Sequence, residues 1–212
     1  MFVSRALLWA APGKAPALRD ALISATRSGD QADIAQRLWG DAAMFSVNRA
    51  FDSLAALEEW RRSWQPDPAV AQHFGRAPAS ELWEVPQALG TAPAPRYAVR
   101  WTYDPATGNG TELRKVVEQR VAEMTAAGRT VRAWMRVSGG PLSIAVVSSH
   151  VSLSSIEKIH AAALSDPANQ TYQQRLAPLL AAPLHAPDWF EILTTPGRRP
   201  ALADISSWGT VF

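Results

Sequence analysis

The chain contains no cysteine. That absence excludes disulfides, thiolate metal sites, iron–sulfur clusters and cysteine nucleophiles together. Lysine is scarce, confined to Lys14, Lys115 and Lys158, so arginine carries nearly all the positive charge. No excess of one sign accumulates: the formal net charge is +2, and the arginines are scattered among acids. A row of phosphates would find no basic stripe, and nucleic acid is not an expected partner. No stretch approaches the ~18 uninterrupted apolar residues of a membrane helix. The N-terminal MFVSRALLWAAPGK lacks a basic region leading into a signal-like apolar run. A cytoplasmic protein without a membrane partner is the expectation, and the sequons at Asn109 and Asn169 then carry little weight. A phosphate-cradling glycine loop, a zinc-protease helix motif and a nucleophile elbow are also missing. What remains is a 212-residue chain, 47% hydrophobic and 19% charged, with the composition of a folded globular protein.

The chain repeats itself. Displaced by 95 positions, Arg5 meets Arg100, Gly13 meets Gly108, Leu18 and Arg19 meet Leu113 and Arg114, Arg37 meets Arg132, and Trp39 meets Trp134. A four-residue insertion placed around Val137 to Gly140 then changes the displacement to 99. Val47 now meets Val146, Ser53-Leu54 meets Ser152-Leu153, Glu58 meets Glu157, and Asp67-Pro68-Ala69 meets Asp166-Pro167-Ala168. A later insertion near Ala181 to Pro187 brings Glu84 onto Glu191.

Each copy reads as βαββαβ. In the first, a strand from Phe2 to Trp9 leads through Pro12-Gly13 into a helix with Leu18, Ala21, Leu22 and Ala25 on one face. Strands around 34–39 and 43–51 follow. A second helix is capped at Asp52-Ser53, carries Leu54, Leu57, Trp60 and Trp64 along one side, and is interrupted by Pro66-Asp67-Pro68 before a closing strand at 82–85. The expected organisation is repeat 1 over 1–86, a linker over 87–95, repeat 2 over 96–194, and a tail over 195–212 that keeps Trp208 and Phe212 for docking.

A βαββαβ unit whose third strand runs into Ser-Leu-x-x-apolar-Glu, then a helix, an Asp-Pro-Ala break and a closing strand with Glu-apolar, resembles the dimeric α/β-barrel superfamily. The NIPSNAP-like branch and the antibiotic-biosynthesis monooxygenases are the most similar in pattern. The resemblance spans both copies. It implies an α+β fold in which two tandem ferredoxin-like repeats, with antiparallel sheets, close one barrel inside a single chain. That arrangement is expected of a monomer with a pseudo-dimeric barrel, or of a homodimer. It also implies ligands held between a sheet and its helices, and activities that include cofactor-free oxygenation, polyketide cyclisation, isomerisation, dehydration and haem handling. Haem-degrading members carry an Asn in the first strand, a Trp where the third strand meets the second helix, and a His near that helix's end. Here the first strands have no Asn, the junction positions are Phe51 and His150, and only His73, matched by Tyr172, lies near the third place. No cofactor is therefore expected, with haem bound through a different histidine as the alternative.

Candidate residues follow from alternation along the strands. Ile144, Val146, Ser148 and His150 share one face, as do Phe45, Val47, Arg49 and Phe51. His150 is the candidate acid/base, because imidazole titrates near neutrality; the plainer reading is a hydrogen-bonded strand-end histidine. Arg49 or Arg100 would stabilise an enolate or carboxylate, while the recurrence of Arg5 and Arg100 also suits a structural ion pair. Tyr103, Asp104, Asn48, Trp134, His160 and Tyr172 are the candidate substrate-binding residues. Most break the repeat symmetry; Trp134 equally suits barrel packing. Glu157-x-x-His160 is half of a di-iron motif without its other half, so no metal is expected. His160 shares a helix face with Leu153, Ile156 and Ala163, where it is either a boundary residue or a group beside a wet pocket. Together these suggest an enzyme of natural-product biosynthesis, a cyclase or monooxygenase among the options, tailoring an aromatic or polyketide-like molecule in an apolar pocket. A non-catalytic binding or scaffold protein of the same fold is the alternative. The second copy, with three of the four histidines and what reads as the larger hairpin, is expected to hold the principal pocket.

Overall fold

A computed structural model describes residues 1–27, 32–64, 67–85 and 95–193. The linker expected at 87–95, apart from Pro95, and the tail expected at 195–212 lie outside the described residues. The first half comprises β1 (Phe2–Trp9), α1 (Ala15–Arg27), β2 (Asp33–Arg37), β3 (Met44–Phe51), α2 (Leu54–Ser63), α3 (Pro68–Ala71) and β4 (Ala79–Glu84). The second repeats the order with β5 (Tyr97–Tyr103), α4 (Gly110–Ala126), β6 (Val131–Ser138), β7 (Ile144–His150), α5 (Leu153–Ser165), α6 (Pro167–Leu176) and β8 (Asp188–Ile192).

Local chemistry sets the shared punctuation. Ser53 and Ser152 cap α2 and α5, each accepting a hydrogen bond from the backbone N–H three residues on. The Asp-Pro-Ala motifs each start a new helix: Asp67 and Asp166 cap α3 and α6 with proline in the first turn, where its missing N–H costs nothing.

All strand pairing is antiparallel, and the eight strands close one barrel in the order β1-β3-β2-β8-β5-β7-β6-β4. Each half supplies a four-stranded sheet with β1 and β3, or β5 and β7, at its centre. The seams between halves are β2 with β8 and β4 with β6. At the second seam Gly139 takes φ +90, and a Cβ there would lie 2.1 Å from the Ser80 carbonyl oxygen, so the β6–β7 turn can sit against β4 only as glycine.

Alternation then sorts the side chains into three cores. Val3, Trp83, Trp134, Val147 and Phe190 line the barrel interior. Leu18, Leu22, Ile34 and Phe45 lie between the first sheet and its helices, and Leu113, Val117, Val146 and Leu176 between the second sheet and its helices.

The registers correct two points of the repeat alignment. β1 and β5 keep the displacement of 95, since Arg5 faces Asn48 and Arg100 faces Val147. In β2 and β6 the displacement is already 99: Ile34 pairs with Val47, and Ala133 with Val146. Trp134 therefore corresponds to Ala35 and Arg136 to Arg37, while Trp39 corresponds to Ser138. The extra four residues belong to α4, which has 17 residues against 13 in α1. The hairpins are of equal length, from Gln36 to Phe45 and from Met135 to Ile144. The α2 stripe also differs from expectation: Leu57 is buried, but Leu54 and Trp64 are about half exposed.

Candidate functional site

The barrel interior carries an unusual load of charge. β1 turns Arg5 inward beside Val3, β5 turns Arg100 inward beside Ala98, and β6 turns Arg136 inward beside Trp134. All three converge on Glu81 of β4. Arg5 donates from Nη1 to Oε2 at 3.0 Å and from Nε to Ser46 Oγ at 3.1 Å. Arg136 donates from Nη2 to Oε1 at 3.1 Å, and the Trp83 indole N–H donates to Oε2 at 3.0 Å. Arg100 lies 3.9 Å from the same carboxylate and stacks on the Trp83 ring at 4.4 Å. Asn48, fully buried, accepts from Ser46 Oγ at 3.1 Å within this polar interior. Trp134 packs edge-on against Trp83 with ring centroids 6.4 Å apart. Burial pushes the Arg5 guanidinium below its ordinary range, against the opposing pull of Glu81 and Asp188.

The outer faces hold the other candidates, and the sheets separate them. His150 lies on the helix side of the second sheet, 6% exposed, with Nε2 2.8 Å from Ser148 Oγ. Burial, aided by the Arg129 charge, lowers its pKa to about 4, so the ring is neutral at neutral pH and far from the poise of an efficient acid/base there. Arg49 lies on the helix side of the first sheet, its guanidinium 4.6 Å above the Trp60 ring, with burial lowering its pKa to about 10. Arg100 faces the barrel interior. The structure thus does not bring His150, Arg49 and Arg100 into one catalytic site.

Tyr103 and Tyr172 meet in the second sheet–helix core, where burial raises both pKa values. Asp104 is exposed and accepts from Ser143 Oγ, tying the end of β5 to the start of β7. The sheet–helix layers, where the resemblance implies ligands, are packed with apolar side chains.

An open apolar site lies elsewhere. A groove of about 450 Å³ runs between α5 and the β2–β8 seam, lined by Trp39, Trp189, Leu153, Leu164, Glu157 and His160. Trp39 and Trp189 pack at right angles, with ring centroids 4.9 Å apart. Trp39, Leu153 and Leu164 are each more than two-fifths exposed, a cluster of large apolar side chains beside water. Glu157 and His160, three residues apart, are its ionisable groups. The corresponding space beside α2, about 390 Å³, is lined by Leu54, Leu57, Glu58, Arg61 and Arg62. It has charges where α5 has His160 and Ala161.

His160 was legible from the α5 face, but Trp189 was not singled out. Its only signal was its place one residue after Asp188 in a closing strand whose neighbour comes from the other half. Glu81 and Asp188 were missed for the same reason. Among the described residues no group of three metal-ligating side chains is arranged around a common point, and no helix is long and apolar enough to cross a membrane.

No family model and no curated protein matches the chain. Solved structures do. A presumed monooxygenase from Lactobacillus acidophilus NCFM superposes with a TM-score of 0.63 at 10% identity, covering 91% of this chain and 94% of its own. An anthrone oxidase-like protein gives 0.61 at 12%, covering 90% of each chain. A major regulator of staphylococcal pathogenesis gives 0.56 at 8%, covering 89% and 98%. The chain has the dimeric α/β-barrel fold built from two ferredoxin-like halves. At these identities the likeness shows the fold alone, and the fold serves more than one function.

Proposed function

We propose that this protein is a small-molecule enzyme that works without a bound cofactor on a flat, apolar, aromatic or polyketide-like substrate. The observation that carries the reading is the α5 groove, in which two tryptophans and two leucines surround a single histidine and a single carboxylate. Such a site takes up an aromatic ring by apolar and edge-to-face contact and presents one base to it. His160 removes a proton from a carbon next to a ring carbonyl, and Glu157 steadies the imidazolium that results. The delocalised carbanion so formed is the common starting point for oxygenation by dissolved oxygen, cyclisation and isomerisation. The anthrone oxidase-like and presumed monooxygenase structures of the same fold support this choice of chemistry.

Haem fits His150 poorly, because that ring is packed at the sheet and hydrogen-bonded to Ser148. The test is exchange of the acidic C–H of a hydroxylated anthrone in D2O, followed by NMR together with oxygen uptake. Saturable acceleration, lost in His160→Ala with binding retained, is the expected result. Tight binding with neither exchange nor oxygen uptake above the free-solution rate would replace this reading with that of a non-catalytic binding protein.

A further inference from the structure

The halves place an arginine opposite an acid at equivalent points of the barrel: Arg5 opposite Glu81, and Arg100 opposite Asp188. In the first half the pair closes at 3.0 Å. In the second it does not. Asp188, one methylene shorter than Glu81, is held by Arg37 at the barrel mouth, where both are about one-third exposed. Arg100 instead leans toward Glu81, already occupied by Arg5, Arg136 and the Trp83 indole. The result is a guanidinium 2% exposed whose Nε and Nη2 have no hydrogen-bond partner among the described residues. A guanidinium cannot shed its charge to relieve this. Burying two of its N–H donors without an acceptor is costly in a protein core.

We propose that the barrel interior is a binding site for a small-molecule carboxylate, which pairs with Nε and Nη2 of Arg100 where the repeat symmetry would place a second glutamate. The two free N–H groups form one edge of the planar fork that accepts both oxygens of a carboxylate. This site lies inside the barrel and is separate from the α5 groove. Its existence does not depend on the reaction proposed there.

The full chain, dialysed into chloride at fixed ionic strength, is titrated with acetate, succinate, benzoate or inorganic phosphate, reading melting temperature and calorimetric binding. A carboxylate is expected to bind saturably and raise the melting temperature by roughly 5–10 °C at a hundredfold its Kd. Inorganic phosphate should bind more weakly. Arg100→Met should lose the response. Asp188→Glu, which supplies the missing carboxylate from the protein, should melt higher than wild type in chloride alone and no longer respond. No carboxylate response beyond chloride in the wild type overturns the proposal, and that arm decides even if neither variant folds. Tighter binding of phosphate than of any carboxylate, or an unchanged response in Arg100→Met, overturns it equally.

Discussion

The two halves of the barrel share their strand registers and differ in what their side chains do with them. Arg5 reaches Glu81, whereas Arg100, at the same place, does not reach Asp188. Phe51 and His150 end equivalent strands, yet the phenylalanine is partly exposed against Trp60 and the histidine is 6% exposed. Beside α2 the surface is charged; beside α5 it is aromatic and aliphatic. Backbone pairing is indifferent to side-chain identity, so a duplicated sheet keeps its hydrogen bonds while its interior and surface diverge. Changes as small as one methylene then decide which half carries an unsatisfied group.

The largest difference between the halves should appear when each acid is neutralised. Glu81→Gln leaves three buried guanidiniums around a neutral amide and should cost about 3–5 kcal/mol. Asp188→Asn breaks a partly exposed pair and should cost about 1 kcal/mol or less. Urea unfolding of both variants measures the gap. Equal losses would mean that Asp188 supports the interior as much as Glu81 does.

Next in size is Phe51→Ala. A fully buried phenylalanine would cost about 3–5 kcal/mol, but Phe51 is only partly covered, so about 1–2 kcal/mol is expected from the same denaturation.

His150 adds a pH dependence that the Phe51 position has no means to supply. Its folded pKa is about 4 against 6.5 for the unfolded residue. Between those values the unfolded chain binds a proton that the folded chain does not. Stability from this source is full above pH 6.5 and falls as the pH drops toward 4. His150→Phe, which makes the second half resemble the first, should flatten that part of the profile in urea unfolding at pH 4.5 to 7.5. An unchanged slope would place the responsible group elsewhere.

Much of the architecture was legible because it rests on local rules. The serine caps, the Asp-Pro-Ala break in the helix and the alternation in β3 and β7 are all readable within a few residues. The correspondence of Trp134 with Ala35 rather than with Trp39 was not, for a physical reason. Four added residues make a little more than one turn of helix, so α4 keeps its apolar face nearly in phase and the insertion leaves little mark on the hydrophobic pattern. The similar runs Arg37-Leu38-Trp39 and Arg132-Ala133-Trp134 then drew the alignment past it. The candidate site was less legible still. Glu81, Asp188 and Trp189 acquire their neighbours only when the two sheets meet at the seams, and nothing within one repeat encodes the other. His160 was found because a helix face is local; of the tryptophans opposite it, Trp39 lies just past the end of β2 and Trp189 in β8, on either side of a seam.

The smallest expected change in stability accompanies the most direct test of where the apolar ligand site lies. Leu54→Asp beside α2 and Leu164→Asp beside α5 both replace exposed leucines, so each should alter stability by no more than about 0.5 kcal/mol. Fluorescence titration with the neutral aromatic probe N-phenyl-1-naphthylamine separates them. The account predicts saturable binding to the wild type, retained in Leu54→Asp and weakened roughly tenfold in Leu164→Asp, since burial of one leucine is worth about that factor. Binding lost in Leu54→Asp and intact in Leu164→Asp would place the ligand in the other half and contradict the account.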